Sequence, residues 1–214
     1  MCKHAVIICD GDFPRKAFPL YLLESADCII CCDGALAKLM KRGITPDAVI
    51  GDMDSAPKSL QRLLQDKILH DSDQETNDLT KAFKYTMTRW PELEEITILG
   101  ATGKAEDHTI ANISLLMEYE RNFNLAEKGI KLSMVSDYST IFPISDSCEL
   151  HLGKGRTVSI FSPDTTLKIQ SEGLVWKTDN VVFDNWWKAS RNVTSDDVIR
   201  LHFSHPSMAL VITD

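Results

Sequence analysis

Ala48-Val49-Ile50-Gly51-Asp52-Met53-Asp54-Ser55 decides how this chain folds. A short apolar run breaks off into a glycine and two carboxylates spaced D-x-D. An unbroken apolar run of that length reads as a strand buried on both faces, which belongs to a parallel sheet covered by helices. The same pattern extends outward in both directions. Strands are expected at His4–Cys9, Asp27–Cys32, Ala48–Ile50, Lys67–His70 and Ile96–Leu99, and helices at Ala35–Arg42, Ser59–Gln65, Asp78–Met87 and Thr109–Glu120. Alternation of this kind is the mark of an α/β layer architecture.

Beyond Gly129 the texture changes. Lys131–Val135, Ser139–Pro143, Glu149–Leu152, Thr157–Ser162, Thr166–Ser171, Asn180–Phe183, Val198–Phe203 and Met208–Ile212 are short segments punctuated by Gly, Asp, Ser and Pro. They leave no room for a long helix and suggest an antiparallel sandwich or partial barrel. The expected division is therefore 1–128 and 129–214, with no low-complexity linker between the two parts.

Composition narrows the function. With 23 Lys and Arg against 31 Asp and Glu, the net charge of −8 disfavours a nucleic-acid partner or an anionic membrane. No apolar run approaches the ~18–20 residues of a membrane span. Ala5–Cys9 is cut off by Asp10 and lacks a cleavage site, so it reads as a buried first strand and not as a leader. The six cysteines read as small hydrophobes in a reducing compartment, which makes the cytoplasm the expected location. Cys28 and Cys31 match C-x-x-C, but residues three apart on a strand point to opposite faces and cannot chelate or pair.

Ligands of open α/β sheets bind beyond the carboxyl ends of the strands. Here those ends read Asp33-Gly34, then Gly51-Asp52-Met53-Asp54-Ser55, then Asp71 to Asp78, then Gly100-Ala101-Thr102-Gly103 followed by Asp107-His108. Any one Asp is an ordinary turn or cap residue. Four consecutive strand ends carrying carboxylate, glycine or both imply a compensating cation, because like charges on one edge repel. Hard oxygen donors without a matching His or Cys set favour Mg²⁺. The glycine loop at 100–103 suits a phosphate, although it matches neither the P-loop nor G-x-G-x-x-G. Residue chemistry alone reaches Mg²⁺-dependent phosphoryl or pyrophosphoryl transfer.

In this order and spacing the segments resemble the thiamine pyrophosphokinase family, whose loose pattern is A-D-G-G-A, G-D-x-D-S, D-Q-x-x-T-D-F and G-x-x-G-G-R-x-D-H. The counterparts are Cys32–Ala35, Gly51–Ser55, Asp73–Leu79 and Gly100–His108. The likeness continues through Gly173-Leu174-Val175-Trp176, Asn180, Ser190-Arg191-Asn192 and His205-Pro206. It implies a Rossmann-like three-layer parallel sheet joined to an antiparallel β-sandwich in a homodimer. It also implies transfer of a pyrophosphoryl group from ATP to the thiamine hydroxyl, releasing AMP. By position, Asp52, Asp54 and Asp78 correspond to the metal-binding catalytic acids. Asp33, Gly34, Gly100, Thr102, Gly103 and Lys104 fall to the nucleotide, and Gln74, Asp107, Ser190 and Asn192 to thiamine; Asp73 is read as shaping its turn.

The chain departs from the pattern at several points. Ala35 replaces a Gly, Asn77 a Thr and Leu79 a Phe, and Arg191 interrupts a Ser-Asn pair. Lys104-Ala105-Glu106 stands where Gly-Arg-x is common, leaving Lys104 as a point charge without the bidentate geometry of Arg. His108 is read as orienting a neighbour, His205-Pro206 as a turn, and the Trp186-Trp187 pair as divided between the core and a flat cationic ring. Two alternatives stay open: a Mg²⁺-dependent phosphatase of haloacid-dehalogenase type, argued from Asp52-x-Asp54, and a non-catalytic thiamine- or nucleotide-binding regulator.

Overall fold

The computed structural model describes residues 2–73 and 75–214. It divides into two compact units, one running to Leu115 and resuming over Gly129–Asp137, the other holding Leu116–Lys128 and Tyr138–Asp214.

The first unit alternates β1 (His4–Ile8), α1 (Ala17–Glu24), β2 (Cys28–Cys32), α2 (Leu36–Lys41), β3 (Ala48–Gly51), α3 (Lys58–Leu63), β4 (Ile68–His70), α4 (Asp78–Arg89), β5 (Glu95–Leu99) and the start of α5 (Glu106–Phe123). After the short α6 (Leu125–Lys128) it regains β6 (Lys131–Val135). The strands lie parallel in the order β6-β5-β1-β2-β3-β4. β1 and β3 are buried almost end to end, as expected of strands covered on both faces. The core joins Val6, Ile8, Cys31, Val49 and Leu99 of the sheet to Leu23, Leu36 and Leu39 of the helices. α4 begins where Asn77 accepts a hydrogen bond from Thr80 N at 2.9 Å, an N-cap that fixes Asp78 in the first turn. Its apolar side buries Leu79, Ala82 and Phe83.

Strand order places the site. From β1 the chain steps outward through β2, β3 and β4, then returns to the other side of β1 as β5 and β6. The reversal between β1 and β5 is the switch point at which open α/β sheets part their loops and receive ligands.

The second unit holds β7 (Thr140–Ile144), β8 (Cys148–His151), β9 (Thr157–Phe161), β10 (Ile169–Glu172), β11 (Asn192–Val193), β12 (Val198–Phe203) and β13 (Ala209–Thr213). The pairs β11-β9, β9-β13 and β13-β7 are antiparallel, as are β10-β12 and β12-β8. Val158, Ile160 and Val211 from the first set pack with Ile169, Ile199 and Leu201 from the second, which makes a two-layer sandwich. His205 Nε2 lies 2.9 Å from Asp164 Oδ2, so the His-Pro segment is a pinned turn, as its sequence suggests.

Several expectations change. Lys131–Val135, grouped by sequence with the later strands, pairs in parallel with β5 and belongs to the first unit. Asn180–Phe183 forms no strand, while Ala17–Glu24 is a helix despite its internal Pro19. Cys2 and Cys28 are joined by a disulfide, which corrects the reading of all six cysteines as reduced. Cys2, two residues before β1, lies beside Cys28 at the start of β2, with Cα atoms 6.0 Å apart. Cys31 remains free, so the C-x-x-C spacing pairs nothing. Among the described residues no helix is long and apolar enough to cross a membrane.

Candidate active site

At the switch point the loop after β1 lies against the loop after β5. Gly11 N donates to Gly100 O at 2.6 Å and Asp12 N to Thr102 O at 2.8 Å. Gly11 is required there, since a Cβ would fall 2.4 Å from both carbonyl oxygens. Gly100 and Thr102, expected at the nucleotide, thus spend their carbonyls on loop-to-loop contact, and neither lines the cavity. Their neighbours Ala101, Gly103 and Lys104 do line it.

The cavity of about 400 Å³ is walled by Asp10 and Gly11 after β1, Asp33 and Gly34 after β2, Asn77 and Asp78 at the start of α4, and His108 and Asn112 of α5. One side is cationic. Lys38 Nζ of α2 and Lys104 Nζ each lie 2.8 Å from Asp10, one on each carboxylate oxygen. Lys38 also donates to the carbonyls of Asp10 at 3.2 Å and Gly11 at 2.9 Å. Burial pushes the Asp10 carboxyl up, but the two ammonium groups outweigh it and hold the pKa below its ordinary value. Burial lowers Lys38, whereas the hydrogen bond to Asp10 raises Lys104.

The other side is acidic and undercompensated. Asp33 is 3% exposed, and its Oδ2 is buried without a hydrogen-bond partner among the described residues. Burial, reinforced by the negative charge of Asp78, raises its pKa against the backbone N–H groups of Gly34 and Ser55. Asp78 is raised by burial too, with Lys81 opposing and Asp52 and Asp71 adding repulsion. The buried Lys81 ammonium stands 3.5 Å from Asp78 and donates to Asp71 O at 3.0 Å. Gly51 permits this approach: a Cβ would lie 2.7 Å from Asp33 Cγ. A buried carboxylate oxygen with no donor, among like charges, is chemistry a hard cation satisfies.

The structure thus brings Asp52 within electrostatic reach of both Asp33 and Asp78, and Asp71 within reach of Asp78. It does not close them into a cage. Among the described residues no group of three or more His, Cys, Asp or Glu is gathered to hold a metal. Asp52 accepts a bond from Asp54 N at 3.0 Å, and Met53 turns the chain at φ 66°, leaving Asp54 exposed and off the cavity wall.

Of the thiamine-side residues, Asp107 is exposed and accepts from its own neighbour His108 N at 2.7 Å, off the cavity wall where His108 stands. Asn192 is buried and committed to backbone. It accepts from Trp176 N and Val193 N and donates to Trp176 O, bracing β11 against the Trp176 segment. Ser190 is exposed and donates to Trp187 O. Gln74 lies outside the described residues. Asp10, Lys38 and Asn112 were missed by the sequence reading. Asp10-Gly11 repeats the acid-glycine ending of the other strands and was legible, whereas Lys38, off the cavity wall itself, meets Asp10 only through the turn of α2.

Two family models match in sequence order. The thiamin pyrophosphokinase catalytic domain spans residues 20–126, and the thiamin pyrophosphokinase substrate-binding domain spans residues 140–209. "Thiamine pyrophosphokinase 1" of Oryza sativa subsp. japonica is 26% identical over 230 residues, covering 92% of this chain and 83% of the rice protein. A Caenorhabditis elegans protein, "Thiamin pyrophosphokinase 1", is 32% identical over 98 residues, or 42% of this chain and 40% of its own length. The solved structure of thiamine pyrophosphokinase from Bacillus subtilis superposes with a TM-score of 0.79 at 17% identity, covering 99% of each chain. The yeast structure gives 0.74 at 17% identity, covering 100% of this chain and 87% of that one. The haloacid-dehalogenase and regulator alternatives draw no support from these relatives.

Proposed function

This chain belongs to the thiamin pyrophosphokinase family, and we infer that it moves a pyrophosphoryl group from ATP to the hydroxyl of thiamine, leaving AMP. The observation that carries this reading is the polarity of one cavity. Lys104 and the Asp10 that it and Lys38 hold share the cavity wall with Asp33 and Asp78, and the buried Asp33 oxygen has no partner among the described residues. Lys38 and Lys104 supply the positive charge that the usual Arg would bring, as two point charges. The backbone around Gly34 and Gly103 leaves room for phosphate oxygens to approach.

Mg²⁺ is the cation we assign to the acidic side, with Asp52, Asp54 and Asp78 as its expected donors and the unpartnered Asp33 oxygen beside them; among the described residues these carboxylates are not gathered into one cage, so a bound ion would draw them together. Bound there, it neutralises polyphosphate charge and orients the reacting groups. The protein's own contribution is positioning. Burial raises Asp78 above the ordinary carboxylate value, and it stands on the cavity wall, so we assign its carboxylate to receive the thiamine hydroxyl proton.

Thiamine recognition and dimerisation are assigned to the antiparallel strands from Thr140 to Thr213, and nucleotide binding to the parallel-sheet unit. The exposed Trp176, Trp186 and Trp187 support a further surface that is covered in a homodimer. The cytoplasm, where ATP is abundant, is the location that fits the substrate, although the Cys2–Cys28 disulfide departs from what a reducing compartment ordinarily holds. The test is product identity with ATP, Mg²⁺ and thiamine present. AMP formed in step with thiamine diphosphate, and abolished by chelation, supports the reading; ADP with thiamine monophosphate, or free phosphate alone, removes it.

A further inference from the structure

The cavity carries two groups that pyrophosphoryl transfer does not use. Cys9 follows β1 and Cys32 closes β2, and the parallel register that sets Ile8 beside Cys31 sets these two side by side. Their sulfurs are 3.8 Å apart, with the Cys32 thiol donating to Cys9. Both are free and nearly buried, yet both lie on the wall of the nucleotide cavity. Cys31, one residue before Cys32 on the strand, points to the other face and belongs to the hydrophobic core. Cys32 stands where the pattern quoted above has alanine, so the pair departs from that pattern and the transfer as proposed makes no use of it.

We propose that Cys9 and Cys32 form a dithiol site that takes a trivalent arsenical across both sulfurs and thereby closes the cavity to nucleotide. Two sulfurs bound to one tetrahedral zinc at about 2.3 Å lie about 3.8 Å apart. A pyramidal arsenic(III) holds its two sulfurs somewhat closer than a tetrahedral zinc does, so side-chain rotation from the observed 3.8 Å has only a short gap to close. The step balances without an oxidant. R–As=O and two thiols give R–As(SR)₂ and water: two As–S bonds form, and the oxygen leaves with both thiol protons. The second bond forms within the first adduct, so a bridging reagent gains the advantage of an intramolecular reaction. A reagent that alkylates one sulfur gains nothing comparable and meets two nearly buried groups.

The test uses the full chain with Cys2→Ser, because Cys2 and Cys28, if reduced, would offer a second pair. Phenylarsine oxide is added and the intact mass is read. One adduct, equal to one arsenical less one water and reversed by excess ethanedithiol, is expected in this background. It is expected to vanish when either Cys9→Ala or Cys32→Ala is added, each checked for folding by circular dichroism. Failure to form the adduct, or its persistence in either double variant, overturns the proposal. Saturating ATP should slow adduct formation at least tenfold, an arm that rests on the proposed function. An adduct lost on both substitutions but not slowed by ATP would establish the dithiol and overturn the placement of ATP in this cavity. The mass needs no catalysis, so this site and the activity fail separately.

Discussion

Asp33 sets stability against function, and Asp33→Asn separates the two. Its Oδ2 is buried with no hydrogen-bond partner among the described residues, and Asp78 and Asp52 add like charge. An unsatisfied buried polar group costs about 1–3 kcal/mol. Asparagine keeps an acceptor for the Gly34 and Ser55 N–H groups and replaces the charged oxygen with a neutral donor facing carboxylates. We expect about 1 kcal/mol of added stability at pH 7 in the metal-free protein, or roughly 2–4 °C for a chain of this size. The pH dependence has a definite sign. A carboxyl whose folded pKa is raised binds protons more tightly in the folded state, so wild-type stability falls as pH rises from the unfolded pKa, about 3.9, to the folded one. The asparagine advantage is therefore full above the folded pKa and vanishes as pH drops to the unfolded one. Thermal melts in EDTA across this range read it directly, while turnover with Mg²⁺, ATP and thiamine should collapse in the same variant. A lower melting temperature at pH 7, or a gain that persists unchanged into acid, would refute the reasoning.

Lys38→Ala and Lys104→Ala should each raise the KM for ATP about tenfold, the scale of a lost charge-assisted hydrogen bond, while leaving the melting temperature within a few degrees. An unchanged KM in both would remove the lysine pair from the phosphate site. Gly173→Ala should cost at least about 2 kcal/mol, because Gly173 has φ 76° and a Cβ there would lie 2.5 Å from Val198 O. Gly153→Ala, at φ 85° with nothing within 4 Å, should cost about half as much, and equal melting temperatures for the two variants would contradict the packing argument.

The parallel sheet was readable because its strands are uniformly apolar and end abruptly in Asp or Gly, a pattern set by burial and by the loops beyond. What escaped depended on three-dimensional neighbours. β6 has the length and composition of the later strands, and only its pairing with β5 assigns it to the first unit. α1 was missed because Pro19 breaks a helical pattern, yet proline is tolerated in a first turn, where its N–H would have no partner. Asp33, Gly34, Asp78, Gly103 and Lys104, singled out from their places after strands, all line the one cavity described above. Asp54 shows how spacing misleads: Asp52 and Asp54 share a side of an extended segment, but Met53 adopts a left-handed conformation and the chain is no longer extended. Asn192 shows the converse, a residue matched by position whose amide is spent on the backbone of Trp176.

The most direct test of the central claim is the fate of isotopic label from ATP. With phosphorus label at the β position and Mg²⁺ and thiamine present, the account predicts that the label moves wholly into thiamine diphosphate while the AMP formed is unlabelled. Label retained in ADP, or released as inorganic phosphate, would contradict attack at the β-phosphorus and with it the assignment of this cavity.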